Sequence, residues 1–123
     1  MKTMLRIAYE LLLWAWGRRF RYRVAGRSME PTLYPNEYLL AVKRSTRNPP
    51  DIAAGDLVLC YHPIESETLI VKRFKGWTPQ GRVLLASDNP DHGTDSRHWG
   101  PVECDLLFGR VTLVLNRPRG SYR

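Results

Sequence analysis

The stretch "TLIVKRF", residues 68–74, indicates the fold class of this 123-residue chain because its apolar side chains alternate with the period of a β-strand. On that period Ile70, Lys72 and Phe74 share one face of the strand. Arg73 falls on the other face. One of two adjacent cations therefore points the same way as two large apolar side chains. The stretch predicts a strand with a lysine on its apolar side.

Other short apolar runs, bounded by turn-forming residues, lie on both sides of this strand. Together the runs are "YPNEYLLAV" (34–42), "AAGDLVLCY" (53–61), "ETLIVKRF" (67–74), "GRVLLAS" (81–87) and "LLFGRVTLVL" (106–115). We expect a mainly β fold, in which five or six strands form a small antiparallel barrel or folded sheet. The basic, proline-interrupted stretch "KRSTRNPPD", residues 43–51, is predicted to be a surface loop.

Residues 3–16 are predicted to form a short helix, because Arg6 and Glu10 lie one turn apart and apolar residues recur at helical spacing. A helix that spans a membrane needs about twenty apolar residues, more than this segment holds. We expect the helix to be covered by the domain's own surface or a partner, or to be buried shallowly at a membrane interface. The predicted organisation is an N-terminal amphipathic helix and basic segment at 1–19, one folded domain at 20–116 and a flexible tail at 117–123.

The chain is basic, with 19 lysines and arginines, 12 acidic residues and a formal net charge of +7. This charge is compatible with nucleic acid, an anionic membrane face or an acidic protein partner, and it does not choose among them. Cys60 and Cys104 lack the spacing of a metal site. Two reduced, buried thiols are therefore expected, with a disulfide between them as the alternative. No metal or other cofactor is predicted.

The stretch "GRSMEPTL", residues 26–33, holds the candidate nucleophile. Gly26 permits a close backbone approach and Pro31 stiffens the chain beyond Ser28, so a fixed, exposed hydroxyl is expected. A lone serine in such a loop is usually a turn former that bonds to its own backbone, and nucleophilic chemistry requires a base. Histidines are poor candidates for this base because all three lie in polar, loop-like stretches: His62, His92 and His98.

Lys72 is the better candidate for the base. A lysine in water has a pKa of about 10.4 and stays protonated at neutral pH. Burial disfavours the charged form and lowers the pKa by up to several units, which would leave the amine neutral when it is needed. The alternative is that the stem of Lys72 covers apolar surface while its ammonium group reaches water.

Three stretches, read in order, resemble the type I signal peptidase family of serine–lysine proteases. "SMEPTLYPNEYLLAVK" (28–43) is similar to the serine box of that family, and "TLIVKRFKG" (68–76) is similar to its lysine box. "SDNPDHGTDSRHWGPV" (87–102), followed by "LLFGRV" (106–111), resembles its final box. The resemblance covers residues 24–115 in the order of the family. It implies the catalytic-core fold of the signal peptidases.

This resemblance implies a serine endopeptidase in which Ser28 is the nucleophile, Lys72 is the general base and the Ser28 backbone N–H stabilises the oxyanion. The implied oxyanion and site-supporting residues are Gly26, Arg73, Asp88, Asn89, Asp95, Ser96 and Arg97, with Asp95 paired to Arg97 or Arg73. An extended peptide is expected to add a strand alongside residues 22–28 and 68–72. The predicted substrate-binding residues are Arg27, Met29, Pro31, Ile70 and Val71.

Several positions depart from the pattern of the family. Signal peptidases commonly carry an oxyanion-binding serine at the position of Gly26 and a lysine-orienting serine at the position of Gly93. We expect Thr94, Ser96 or water to orient the lysine instead. Ser87 stands where a glycine is usual. The connection after the lysine strand is short, where exporting signal peptidases often insert a large β-domain.

The short form, the Gly26-Arg27-Ser28 start and the arginine-rich segment before it look most like the nickel-type superoxide dismutase maturation proteases, a compact branch of this family. That resemblance implies removal of the N-terminal leader from a nickel-type superoxide dismutase precursor. The expected partner is thus a protein substrate with an extended N-terminal peptide, and no nucleic acid. The expected location is the cytoplasm, with peripheral contact at the inner face of the membrane, through the N-terminal helix, as an option.

Three alternatives stay open. A small membrane-associated type I signal peptidase would process exported proteins and use the N-terminal helix as its anchor. A basic β-barrel resembling a stand-alone repressor protease domain would bind nucleic acid, and its binding would fall steeply with salt. A catalytically dead scaffold would account for the glycines at positions 26 and 93.

Overall fold

A computed structural model describes residues 2–44 and 52–116. Most of the predicted loop at 43–51 and the whole predicted tail at 117–123 lie outside the described residues. The main elements are α1 (Lys2–Ala15), β1 (Phe20–Arg23), β2 (Tyr38–Lys43), β3 (Leu57–Tyr61), β4 (Leu69–Trp77), β5 (Val83–Ala86), α2 (Ser96–Trp99) and β6 (Leu107–Leu115).

The six strands form one sheet in the order β1-β2-β6-β3-β4-β5, and each neighbouring pair is antiparallel. Strands β1 and β5 lie at the two edges, so the sheet of the described residues is not closed into a barrel. The predicted mainly β fold with an N-terminal helix is confirmed, in its folded-sheet form. Strand β1 was not among the predicted apolar runs because its side chains are mostly exposed.

Apolar side chains cover both faces of the central strands. In β3, Val58 and Cys60 point to one side and Leu59 points to the other, and all three are buried. The first cluster holds Val24, Met29, Leu33, Leu39, Ala41, Leu59, Val71 and Phe108. The second holds Val58, Cys60, Phe74, Val83, Leu85, Val102 and Leu107. Full burial of one such side chain contributes about 1.5–3 kcal/mol, so these clusters fix the register of the sheet.

The register of β4 determines what surrounds Lys72. Its partner across the β3–β4 pair is Val58. In the β4–β5 pair Arg73 lies opposite Ala86, so the next residue of the antiparallel partner, Ser87, comes beside Lys72. The candidate base therefore has an apolar neighbour on one side and a hydroxyl on the other.

Helix α1 is one residue earlier at each end than predicted, and it contacts the sheet through polar groups. Its buried residue, Glu10, accepts hydrogen bonds from Arg19 Nε at 2.8 Å and from Thr112 Oγ1, on β6, at 2.7 Å. Arg6 donates to the carbonyl oxygen of Thr112. Large apolar side chains of the helix and its C-terminal turn are exposed instead: Met4, Leu5, Tyr9, Leu11, Leu12, Trp14 and Trp16. No helix in the described part of the chain has the length and apolar content to cross a membrane.

Both cysteines are free thiols in the structure. Cys60 is buried in the second cluster, and this burial raises the pKa of its thiol to about 12. Cys104 is only partly buried, and its Sγ accepts a hydrogen bond from Arg44 at 3.0 Å. The expectation of two unpaired thiols is confirmed, although Cys104 is more exposed than expected.

Candidate active site

Ser28 lies in the loop between β1 and β2, where neighbouring groups hold its backbone. The Asn89 backbone N–H donates to the Ser28 carbonyl oxygen at 2.8 Å, and Asn89 Nδ2 donates to the Arg27 carbonyl oxygen at 3.1 Å. The next side chain, Met29, is 1% exposed and packs in the first cluster. The sequence predicted a fully exposed hydroxyl, but Ser28 is half-buried.

Lys72 is 4% exposed, on the same face of β4 as Phe74. Its Nζ donates a hydrogen bond to Ser87 Oγ at 3.0 Å. Burial lowers the pKa of Lys72 from its usual value of 10.5, and the negative charge of Asp95 opposes that shift. The alternative in which the amine reaches bulk water is therefore wrong.

Gly93 links the serine loop to the lysine. A Cβ atom at this position would overlap with Ser28 Cβ, and it would lie 3.2 Å from Ser28 Cα and 2.9 Å from Ser87 Oγ. The backbone of Gly93 is extended, with φ −164° and ψ 166°, so the close approach and not the backbone angle favours glycine here. The backbone of Gly93 thus packs closely against Ser28 and Ser87, and Ser87 bonds to Lys72.

Asp95 organises the wall of this site. Its carboxylate, 1% exposed, accepts from the Ser87 backbone N–H at 2.8 Å and from the Arg97 backbone N–H and Nε at 2.9 Å each. Burial would raise the pKa of Asp95, but these hydrogen bonds and the Arg97 charge lower it to about 2. Of the two predicted partners, the structure shows Arg97. Ser96 accepts the Leu85 backbone N–H at 2.9 Å and so ties α2 to β5.

Asp88 joins the serine loop to the sheet. Its carboxylate accepts from Arg73 Nη2 at 2.5 Å and from Thr32 Oγ1 at 2.5 Å. Burial would raise the pKa of Asp88, whereas the hydrogen bonds from Arg73 and Thr32 lower it, with a net lowering. Arg73 also donates to the Gly55 carbonyl oxygen at 2.8 Å. The predicted supporting residues thus form separate groups: Arg73 and Asp88 bond to each other, Asn89 bonds to the Ser28 loop, and Asp95, Ser96 and Arg97 adjoin Ser87 and β5.

The predicted substrate-binding residues do not all come together. Met29 and Val71 are buried in the first cluster, whereas Ile70 packs against the second. Arg27 is exposed and its Nε lies 3.1 Å from Glu30. Pro31 is also exposed.

A side-chain hydrogen bond joins the two segments that were predicted to flank a peptide. The hydroxyl of Tyr22, on β1, donates to the Leu69 carbonyl oxygen, at the start of β4, at 3.0 Å. Gly26 follows β1 with φ +76°, a left-handed conformation that favours glycine, and nothing lies within 4 Å of a Cβ atom built there. The position of the missing oxyanion serine is consequently open space.

Two histidines serve local structure. His62 Nδ1 accepts the backbone N–H groups of Ile64 and Glu65 at 3.1 and 3.0 Å. His98 Nδ1 accepts the Asp95 backbone N–H at 3.2 Å, which completes the cap of α2. These contacts agree with the judgement that histidine is a poor candidate for the base.

The sequence missed two contacts of the site. Neither Thr94 nor Ser96 was found to orient Lys72; the hydroxyl within reach of the amine belongs to Ser87. Thr32, which bonds to Asp88, was not singled out either. The contact between Ser87 and Lys72 depends on the register of β4 against β5, which cannot be deduced from the sequence. The unusual serine at position 87 was nevertheless a usable signal.

Comparison with known proteins gives a consistent result. The Peptidase S24-like family matches residues 7–103 of the chain. Mitochondrial inner membrane protease subunit 2 of Saccharomyces cerevisiae is 26% identical over 119 residues, which cover 78% of this chain and 67% of that protein. Subunit 1 of the same protease from Mus musculus is 31% identical over 106 residues, which cover 71% of this chain and 63% of that protein.

A third relative has similar coverage. Mitochondrial inner membrane protease subunit 1 of Schizosaccharomyces pombe is 32% identical over 105 residues, which cover 71% of this chain and 67% of that protein. The chain thus spans about two thirds of the length of these relatives, slightly less in the mouse protein. Because the family match extends over most of the chain and a relative above 30% identity agrees with it, the chain belongs to the Peptidase S24-like family.

Proposed function

We propose that this protein is a serine endopeptidase that removes the N-terminal leader peptide of a precursor protein, with Ser28 as nucleophile and Lys72 as general base. The observation that carries the proposal is the buried Lys72 amine: it bonds to Ser87 Oγ, and the backbone of Gly93 packs closely against both Ser87 and Ser28. Membership in a peptidase family supports a protein substrate.

In the proposed reaction, neutral Lys72 takes the proton of the Ser28 hydroxyl while Ser28 Oγ attacks the peptide carbonyl carbon. The ammonium then gives that proton to the departing amine as the C–N bond breaks, which leaves an ester on Ser28. Lys72 next takes a proton from water, the resulting hydroxide attacks the ester, and the proton returns to Ser28 Oγ as the acid product leaves. Burial lowers the pKa of Lys72, which increases the fraction of neutral amine that is available for each deprotonation.

The oxyanion of each tetrahedral intermediate requires a donor. The Ser28 backbone N–H donates no hydrogen bond to any other described residue, which leaves this group available to bind the oxyanion. Gly26 supplies no hydroxyl. Loss of a second donor costs about 10² to 10³ in rate in proteases that rely on one, so a modest turnover is expected.

Substrate binding is proposed to use strand addition. β1 is an edge strand, and its free backbone groups can pair with an extended peptide. The Tyr22–Leu69 hydrogen bond supports a path between residues 22–28 and 68–72, because the Tyr22 side chain spans from one segment to the other.

For the substrate itself we propose the nickel-type superoxide dismutase precursor, cleaved in the cytoplasm. Support comes from the Gly26-Arg27-Ser28 start and from the short connection between Trp77 and Val83, which fit the compact branch of the signal peptidases. The test is to incubate the purified protein with that precursor and to sequence the new N-terminus. Ser28→Ala and Lys72→Ala should each abolish cleavage and keep the fold, whereas unchanged cleavage by either variant excludes the pair.

A second candidate is a small membrane-associated signal peptidase that processes exported proteins. The exposed apolar side chains of α1, with arginines at positions 18, 21 and 23 close behind, favour contact with an anionic membrane surface. The relatives are named for an inner membrane protease, which also supports this candidate. Carbonate washing of membranes, together with cleavage assays on an exported preprotein and on the dismutase precursor, separates the two.

A further inference from the structure

We propose that Ser87 is a positioning residue for Lys72: its hydroxyl oxygen accepts one N–H of the amine and so turns the lone pair of the amine toward Ser28. This inference rests on the proposed function of Lys72 as a base. Ser87 is the residue that stands where the signal peptidase pattern has glycine, while Gly93 stands where that pattern has the orienting serine.

The backbone of Ser87 is fixed on two sides. It follows β5 directly, beside Lys72 in the register of the β4–β5 pair. Its backbone N–H donates to Asp95 Oδ2 at 2.8 Å, and the residue is only 9% exposed. The 3.0 Å contact between Ser87 Oγ and Lys72 Nζ therefore joins two groups whose positions are set by the sheet.

The hydroxyl proton has a defined direction. Ser87 Oγ donates to the Thr94 carbonyl oxygen at 3.3 Å. A hydroxyl has a single proton, so the side of Ser87 Oγ that faces Lys72 presents a lone pair and can only accept. A neutral amine has two N–H groups and one lone pair. Donation of one N–H to Ser87 restricts rotation about the last C–N bond and leaves the lone pair for the Ser28 hydroxyl.

The neighbouring hydroxyls of Thr94 and Ser96 form no hydrogen bond with the Lys72 amine. Ser96 Oγ is occupied by the Leu85 backbone N–H at 2.9 Å. Thr94 contributes its carbonyl oxygen to Ser87. A side chain at Gly93 would overlap with Ser28 Cβ and crowd Ser87 Oγ. The serine at 87 and the glycine at 93 therefore form a complementary pair, in which the glycine leaves the room that the serine occupies.

The groups around Lys72 determine the pH dependence of its titration. From the α2 side, Asp95 raises the pKa of the lysine. On β4 itself, Arg73 lies on the opposite face and is paired with Asp88. β3 offers the apolar Val58. Since Ser87 binds the ammonium form more strongly than the amine, its removal should lower the pKa of Lys72 further.

The experiment uses the full chain with Ser87→Ala. We expect kcat on the pH plateau to fall about tenfold, as the loss of one orienting hydrogen bond implies, and the acid limb of the pH–rate profile to move to lower pH. In parallel, NMR of the Lys72 side chain in isotopically labelled protein without substrate should show the lower pKa directly. Ser87→Gly lacks the same hydroxyl and should behave alike, which covers a failure of the alanine variant to fold.

The matched control is Thr112→Val. Thr112, on β6, is also 9% exposed, and its hydroxyl also makes hydrogen bonds. These bonds go to Glu10 and to the Leu40 carbonyl oxygen and not to the lysine. This variant should lose stability and keep the acid limb of the wild-type profile. A limb that moves as far in Thr112→Val as in Ser87→Ala would make the effect general and overturn the assignment.

The two hypotheses fail in different ways. Wild-type kcat and an unshifted Lys72 titration in Ser87→Ala, while Ser28→Ala and Lys72→Ala are inactive, would overturn the role of Ser87 and leave the peptidase intact. A shifted Lys72 titration in a protein that cleaves no precursor would retain the contact and reject the proposed function, and with it the positioning role.

Discussion

Replacement of Lys72 by methionine should abolish cleavage and at the same time stabilise the fold. Lys72 is 4% exposed, and in the described residues its amine has a single hydrogen-bond acceptor, Ser87 Oγ. Burial of a polar group with incomplete hydrogen bonding costs about 1–3 kcal/mol, and one hydrogen bond offsets about 1 kcal/mol. Methionine has a similar length and no polar hydrogen. We expect Lys72→Met to gain up to about 2 kcal/mol in the free energy of unfolding at pH 7, or up to several degrees in Tm.

The sign of the pH dependence follows from the direction of the shift. Burial lowers the folded-state pKa of Lys72 below the usual value of 10.5, so between these two values the unfolded chain binds a proton that the folded chain does not. Stability contributed by this group therefore rises with pH through that window, with a slope of up to about 1.4 kcal/mol per pH unit. Below the folded-state pKa the penalty is complete and the slope vanishes.

The assay is denaturant unfolding of the wild type and Lys72→Met at several pH values from 6 to about 10. The advantage of the variant should be largest at low pH and should shrink as the pH rises. Lys75→Met is the matched control, because Lys75 lies on the same strand, is exposed, and carries the same charge. This control should keep the wild-type slope. A less stable Lys72→Met, or an advantage that is independent of pH, would refute the claim that the amine is buried with a lowered pKa.

Other variants test the neighbouring groups. Gly93→Ala should push the Ser28 loop away from Ser87 and lower the free energy of unfolding by about 1–3 kcal/mol. It should lower kcat by a larger factor than it changes KM. A variant as active as the wild type would contradict the close approach. Asp95→Asn should remove an acid-sensitive part of the stability. The pKa of Asp95 is about 2 in the fold against 3.8 in the free residue, so its contribution of about 2 kcal/mol is present above pH 4 and lost as the pH falls through 2. The measurement is the Tm of the wild type and of Asp95→Asn as the pH is lowered. Identical curves for the two proteins would contradict this reasoning.

Much of the fold was predictable because the apolar alternation is strong. The strand with Lys72, the runs that became β2, β3, β5 and β6, and the N-terminal helix all carry a clear periodicity. β1 was missed because only Tyr22 is even partly buried, so its sequence lacks the usual signal. Helix α2 was also missed, since it has four residues and is set by the capping of Asp95 and His98 rather than by an apolar pattern.

The site was predictable in its parts but not in its contacts. Alternation placed Lys72 on the apolar face of its strand but left open whether the ammonium group reaches water, and the supporting residues followed from the resemblance. Which hydroxyl meets the amine depends on the pairing of β4 with β5 and on the space left at Gly93, and both are long-range properties. The assigned catalytic roles of Ser28 and Lys72 stay predictions until the variants are measured.

One short turn, residues 87–89, is hydrogen-bonded to the segments that carry both proposed reactive groups. Ser87 holds the amine of Lys72, and Asn89 holds the carbonyl oxygens of Arg27 and Ser28. Small displacements of this turn would carry the two groups along together, so their separation should tolerate thermal motion better than either position alone. The turn is attached to β5, an outermost strand of the sheet. Release of that single strand from the sheet would uncouple the pair, so activity should be lost as soon as β5 detaches.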